Sequence, residues 1–193
     1  SDGGQHTAVS DAVRAGQAMV AAGADILDIG GESTRPGADF VLVSEEITRT
    51  APVIAALRGA GLRTPISIDT RKSAVAEAAV SAGANLVNDV SGFTFDPALG
   101  PLCQTLGLPV CVMHAQGDPA TMHLDPRYDN VLLDVYDALE RQIAVLEASG
   151  IPRSAILADP GIGFGKTQEH NLALLARLSL FHALGTPILL GVS

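Results

Sequence analysis

Tryptophan is absent from the 193 residues, and aromatic side chains make up only 4% of them. Apolar residues still reach 47%. The core must therefore be Ala, Val, Leu and Ile, as in α/β proteins with buried parallel strands. Lysine is nearly missing as well: Lys72 and Lys166 are the two in the chain, and the net charge is −9. With no basic run, nucleic acid is disfavoured as a partner, and an anionic substrate would have to find a local positive charge, for which the strand ends offer Arg35 and Lys166. The two cysteines, Cys103 and Cys111, form neither a metal-type pair nor a disulfide framework. Cys111 lies in an apolar run and reads as a small buried side chain. No stretch has the length of a membrane span and no signal-peptide pattern precedes the first helix, so the expected location is the cytoplasm. The length suits one domain, residues 1–193. The chain opens abruptly at Ser1-Asp2-Gly3-Gly4 and stops inside an apolar run at Ser193, and both ends are expected to belong to something longer.

What is present is a repeating unit of helix, glycine, apolar strand and polar loop. Helical periodicity is expected over 7–22, 44–57, 72–82, from Asp96-Pro97 to near Gly107, 130–148 and 171–184. Strands are expected over 24–29, 65–70, 85–91, 110–114, 156–159 and 187–193. Continuous alternation of this kind implies a parallel sheet. It suits either an open doubly wound sheet or a closed (β/α)8 TIM-type barrel. Uniform units without a dinucleotide fingerprint favour the barrel, incomplete here, with about six strands and six helices present and the first and last strands missing.

The chemistry gathers where strands end. Asp159-Pro160-Gly161-Ile162-Gly163-Phe164-Gly165-Lys166-Thr167 reads as a strand end, a glycine-rich turn and a helix start. It is not a phosphate loop, because the Gly required before Gly-Lys-Thr falls on Pro160. The other strand ends carry Glu32-Ser33-Thr34-Arg35, Asp69-Thr70, Asn88-Asp89, and His114 with Gln116. In a barrel these loops share one face. Asp69, Asn88 and Asp159, from three strands, would converge on a ligand rich in planar N–H donors, such as a 2-amino-4-oxo-pyrimidine, which a carboxylate can grip with two charge-assisted bonds. Each taken singly is as readily a helix cap. Metal ligation by Asp and His is the next alternative, but His114 and His170 lack the spacing of a zinc helix. Ser33, Ser91 and Ser193 lack a nucleophile-elbow context.

These motifs resemble the dihydropteroate synthase family: Gly-Gly-Glu-Ser-Thr-Arg-Pro-Gly (30–37), Ser-Ile-Asp-Thr (67–70), Asn-Asp-Val-Ser-Gly (88–92), Met-His-x-Gln-Gly (113–117) and the glycine loop, in that order over essentially the whole chain. The resemblance implies a (β/α)8 barrel that joins 6-hydroxymethyl-7,8-dihydropterin pyrophosphate to p-aminobenzoate, giving 7,8-dihydropteroate and pyrophosphate in folate biosynthesis. It implies that Asp69, Asn88 and Asp159 bind the pterin, with Met113 and Gly163 lining the ring. Thr34, Arg35 and Pro36 would lie on a mobile loop that closes over the site, Asp69, Arg35 and Thr34 being the residues tied to catalysis. Pro36, Phe164 and Ser193 would surround p-aminobenzoate, where sulfonamides also bind. Mg2+ would accompany the pyrophosphate, with no metal ligand inside 1–193. An Asn upstream, a Lys just past Ser193, and an Arg and a His further on would complete the anion site. A homodimer is the family's habit.

In the implied mechanism, departure of pyrophosphate leaves a methylene cation delocalised into the dihydropterin. Asp69 stabilises it electrostatically, the neutral arylamine attacks, and loop closure excludes water. The rivals are a pterin-dependent methyltransferase, from which the Glu-Ser-Thr-Arg-Pro-Gly loop and Phe164-Gly165-Lys166 separate it, and a non-catalytic pterin-binding relative. Residues 1–193 alone are expected to be poorly soluble and inactive, because unpaired edge strands invite aggregation.

Overall fold

The structure, a computed structural model, describes residues 2–33, 39–117 and 125–192, with burial assigned from Ala8 onward. Helix α1 spans Asp2–Ala21, followed by strand β1, Leu27–Gly30. Helix α2 covers Val43–Gly59 and strand β2 Ile66–Asp69. Helix α3 covers Ser73–Ala82 and strand β3 Leu86–Asp89. Helix α4 covers Leu99–Leu106 and strand β4 Val110–Met113. Helix α5 covers Val131–Ala148, strand β5 Ile156–Asp159 and helix α6 Gln168–Ala176.

All pairings are parallel, and the strand order is β1-β2-β3-β4-β5. This order decides between the two architectures. A doubly wound sheet reverses its order at a switch point, whereas an order that follows the sequence without reversal is an arc of a (β/α)8 barrel.

Alternation along the strands gives the sheet two unlike faces. Leu27, Ile66, Ile68, Val87, Val110, Val112, Ile156 and Ala158 join helix residues such as Ile54, Leu57, Val75, Leu139 and Ile143 in one buried cluster. The intervening residues point the other way: Asp28 from β1, Ser67 and Asp69 from β2, Asn88 from β3, Cys111 and Met113 from β4, and Asp159 from β5. The barrel's outer face is thus hydrocarbon and its inner face polar.

Several elements differ from the sequence expectation. The sixth strand is reduced to one parallel bridge, Ala158 to Ile188, with Ala158 N donating to Pro187 O at 3.0 Å and Leu189 N to Ala158 O at 3.0 Å. The ladder begins at Pro187, which has no N–H to give, and it does not continue through Leu190 to Val192. The helix expected over 171–184 begins earlier and breaks. Thr167 and His170 form a reciprocal capping box at its start, α6 ends at Ala176, and a 3-10 helix follows over Leu178–Leu184. α1 begins before residue 7. α4 starts at Leu99 rather than at Pro97. Asp96 accepts from Ala98 N at 2.9 Å but also from Ser73 N at 2.8 Å, so it serves the start of α3 as well as its own turn.

Candidate active site

The inner face brings the three pterin candidates together. In the ladder Asp69 stands level with Asn88, and Asn88 with Cys111. Asp159 stands level with Met113 on the neighbouring strand. Asn88 donates to Asp28 at 3.4 Å, which adds a carboxylate that sequence reading passed over. Its signal was there: in Leu27-Asp28-Ile29-Gly30 the Asp occupies the alternate, inward position.

Few cations reach these carboxylates, and their acidities record it. Burial lifts Asp69 to about 7, helped by the charges of Asp28, Asp89, Glu46 and Glu32. Burial also raises Asp159 to about 6, against the Gly161 N–H and the charge of Lys166, which pull the other way. Asp28, open to solvent on one side but crowded on the others, is pushed up too. Asn88 and the nearby Ser67 hydroxyl oppose the rise, although Ser67 Oγ reaches no partner at hydrogen-bond geometry. Cys111 lies among them. Its buried thiol is driven well above the usual range, first by burial and then by Asp159, Asp28, Asp69 and Asp89. It is inert as a nucleophile. Asp89 points away from this face. Its carboxylate accepts from Ser91 N, Ser91 Oγ and Phe93 N at 2.7, 2.9 and 2.9 Å, a turn-forming role that holds Phe93 at φ 64°.

The glycine loop lies directly against the end of β4. A Cβ at Gly161 would stand 1.9 Å from His114 O, and one at Gly165 2.3 Å from Gln116 O. Both residues have positive φ, 68° and 63°, so no other residue type fits. Asp159 accepts from Gly161 N at 2.7 Å, Asn171 from Gly163 N at 2.9 Å, and Gly165 O accepts from Tyr128 Oη at 2.8 Å. Gly163 is left exposed and Phe164 half-buried. Lys166 is a correction to the sequence reading, in which it was a candidate cation for an anionic ligand. It is buried, and its Nζ is spent on His114 and the loop carbonyls. Burial draws its acidity to about 7 against the pull of Asp159. His114, buried beside the same ammonium, drops to about 3 and is neutral. Lys166 donates to its Nδ1, so the ring proton sits on Nε2.

A second cluster, also unforeseen, flanks the site. Glu32, Thr70, Arg71 and Lys72 follow β1 and β2, and Glu46 comes from α2. Lys72 Nζ lies 2.6 Å from Glu46 Oε2, 3.1 Å from Glu32 Oε1 and 2.6 Å from Val41 O. Arg71 Nε is 3.0 Å from Glu32 Oε2, and Thr70 donates to Glu46 at 2.6 Å. Arg71 stacks 4.1 Å over Phe95, and Lys72 lies 4.4 Å from the Phe40 ring centre. Burial works to raise Glu32, but Arg71, Val41 N–H and Lys72 together hold it below the usual carboxylate range.

Of the remaining candidates, Thr34, Arg35, Pro36 and Ser193 lie outside the described residues. Among those described, no three His, Cys, Asp or Glu side chains are placed to hold a metal ion, and no helix is long and apolar enough to cross a membrane.

Comparison with known proteins shows where this arrangement occurs. The model of the pterin binding enzyme family matches residues 1–193. Dihydropteroate synthase of Escherichia coli K12 is 46% identical over 193 residues, which are all of this chain and 68% of that protein. A probable bifunctional folylpolyglutamate synthase/dihydropteroate synthase of Haloferax volcanii is 50% identical over 192 residues, again the whole chain but 23% of that protein. The structure of Xanthomonas albilineans dihydropteroate synthase with 4-aminobenzoic acid superposes with a TM-score of 0.91 at 45% identity, covering 100% of this chain and 68% of that one. The chain therefore spans about two-thirds of the single-function relatives and under a quarter of the bifunctional one.

Proposed function

The chain belongs to the pterin binding enzyme family, and from that footing we propose that it supplies the pterin-binding part of a dihydropteroate synthase, joining 6-hydroxymethyl-7,8-dihydropterin pyrophosphate to p-aminobenzoate with release of pyrophosphate. The observation that carries the proposal is the set of carboxylates on one strand face, Asp28, Asp69 and Asp159, that form no ion pair among the described residues, with Asn88 between them. A dihydropterin ring presents ring N–H and exocyclic amine donors in one plane. Acceptors at the floor of a barrel can take them pairwise. Asp159 has one oxygen committed to Gly161 N–H, which leaves the other for the ligand. Asn88 can both donate to a ring carbonyl and accept from an N–H.

The same charge distribution supports the chemical step. As the C–O bond to pyrophosphate breaks, positive charge develops on the exocyclic methylene and spreads into the ring. The nearby Asp69 then loses any reason to hold a proton, and its negative charge favours that distribution over the neutral ground state. The arylamine attacks from the side of Phe164. This acidic floor repels pyrophosphate, so the leaving group is assigned away from it, and Thr34 and Arg35 are the residues proposed to meet it. Mg2+ enters as part of the substrate, bound to its pyrophosphate.

The test is Asp159→Asn in the full-length protein. The amide still accepts from Gly161 N–H but no longer offers a charged acceptor, so pterin affinity should fall at least about tenfold with the fold intact. Unchanged affinity by calorimetry would remove Asp159 from the site. Absence of pyrophosphate release by the unaltered protein, given both substrates, would overturn the reaction.

A further inference from the structure

We propose that Lys166 is a positioning residue: it clamps the glycine loop to the end of β4 and so fixes the surface that Phe164 presents to the arylamine, a role that rests on the reaction assigned above. The side chain is 8% exposed and never reaches the inner face as a free cation. Its ammonium shares three N–H donors among four acceptors within reach: His114 Nδ1 at 3.0 Å, His114 O at 3.1 Å, Gly161 O at 2.8 Å and Phe164 O at 2.9 Å. Two belong to the residue that follows β4 and two to the loop that follows β5. One cation thus ties together the ends of adjacent strands.

The contacts explain why the loop needs a cation. Gly161, Gly163 and Gly165 all have positive φ, so the loop is neither helix nor strand and cannot satisfy its own carbonyls. Gly161 O takes one internal bond, from Phe164 N at 3.1 Å. The Phe164 carbonyl is met by Lys166. Because the ammonium holds the carbonyl of Phe164 itself, it sets the peptide plane from which that ring projects. His114 contributes in its neutral form, its Nδ1 lone pair accepting from Lys166, which makes it the distant anchor of the clamp. Asp159 completes the set by holding Gly161 N–H at 2.7 Å. The pterin floor and the arylamine wall are therefore built on one hydrogen-bonded node, but they touch it through different residues: the pterin through Asp159, the arylamine through Phe164.

This separation makes the role measurable. In the full-length protein Lys166→Met keeps the length of the side chain and removes its donors. We expect KM for p-aminobenzoate to rise about tenfold, and affinity for an unphosphorylated pterin, measured at pH 8 so that Asp159 stays ionised, to change by less than about threefold. The amides of Gly161 and Phe164 should lose protection from hydrogen exchange while those of β5 keep theirs. Lys166→Arg, which retains charge and donors in a bulkier head, should give an intermediate KM, and it stands in if the Met variant does not fold. A variant that only lowers the amount of active protein, with both substrate constants unchanged, would show a purely structural lysine and overturn the proposal. Unaltered exchange at Gly161 and Phe164 would overturn the clamp itself. The exchange measurement needs no turnover, so it decides the clamp even if the unaltered protein proves not to be a synthase.

Discussion

Glu32 and Glu46 lie within a few residues or one strand of Asp28 and Asp69, yet the chain treats the two sets of carboxylates in opposite ways. Glu46 is fully buried and meets Lys72 and Thr70, while Glu32 is shared between Arg71 and Lys72. Asp69, on the inner face, has carboxylates as its main charged neighbours and rises to about 7, whereas Glu32 is held below its usual range. The difference teaches what each region is for. Carboxylates paired inside the fold secure the backbone of Val41, just ahead of α2: Glu32 accepts from Val41 N at 3.0 Å, and Lys72 donates to Val41 O at 2.6 Å. Carboxylates that form no ion pair among the described residues are a stored cost that a donor-rich ligand can relieve.

The contrast is broken most severely at Lys72. Lys72→Met strands Glu46 and part of Glu32 without their cation. Removing one partner of a buried pair costs about 3–5 kcal/mol, so the midpoint of denaturant unfolding should collapse. A fall below about 1 kcal/mol would mean the cluster is solvated and not structural.

An intermediate effect is expected from pH acting on the inner face. Asp159 titrates at about 6 and Asp69 at about 7. A carboxyl that has taken up a proton cannot accept the ligand's fork. Affinity for an unphosphorylated pterin should therefore weaken by about tenfold or more from pH 8 to pH 5. A flat calorimetric profile over that range would erase the distinction between the two regions.

The smallest effect sharpens the comparison, because it has the opposite sign to the first. The folded state holds the Asp69 proton more tightly than the unfolded chain does. The side chain is thus least costly below pH 4 and becomes fully destabilising as pH rises through about 7. Asp69→Asn should leave stability unchanged at low pH and raise it by about 1 kcal/mol at pH 8, a figure reduced for its partial contact with solvent, while abolishing turnover. Loss of stability at pH 8 would place Asp69 among the structural carboxylates.

Much of this was legible residue by residue. Asp69, Asn88 and Asp159 each close an apolar run, and a period of two puts such residues on a common face once the strands are parallel. Asp28 was legible by the same rule but sits inside its strand rather than at its end, and the register with Ser67 bears out that it faces inward. Lys166 was read as a cation near the strand ends, which is where it lies in the chain. Its burial came from the close approach of the loop to His114, a contact across 52 positions that no local pattern encodes. The terminal run 187–193 looked like the strands before it, yet among its described residues only Ile188 makes a ladder bridge.

The sequence by itself determined the alternation of helix and strand, the hydrocarbon outer face and the residue types at each strand end. These follow from short-range periodicity and from the conformational freedom of glycine. Only the tertiary structure decided which charges are neutralised. Lys72 and Lys166 each sit near an acid in the chain, but ion pairing depends on distance and on exclusion of water. Both are set by how strands far apart in the chain are laid against one another. That packing gave Glu46 a lysine, turned the ammonium of Lys166 toward carbonyl groups, and left Asp69 among other carboxylates.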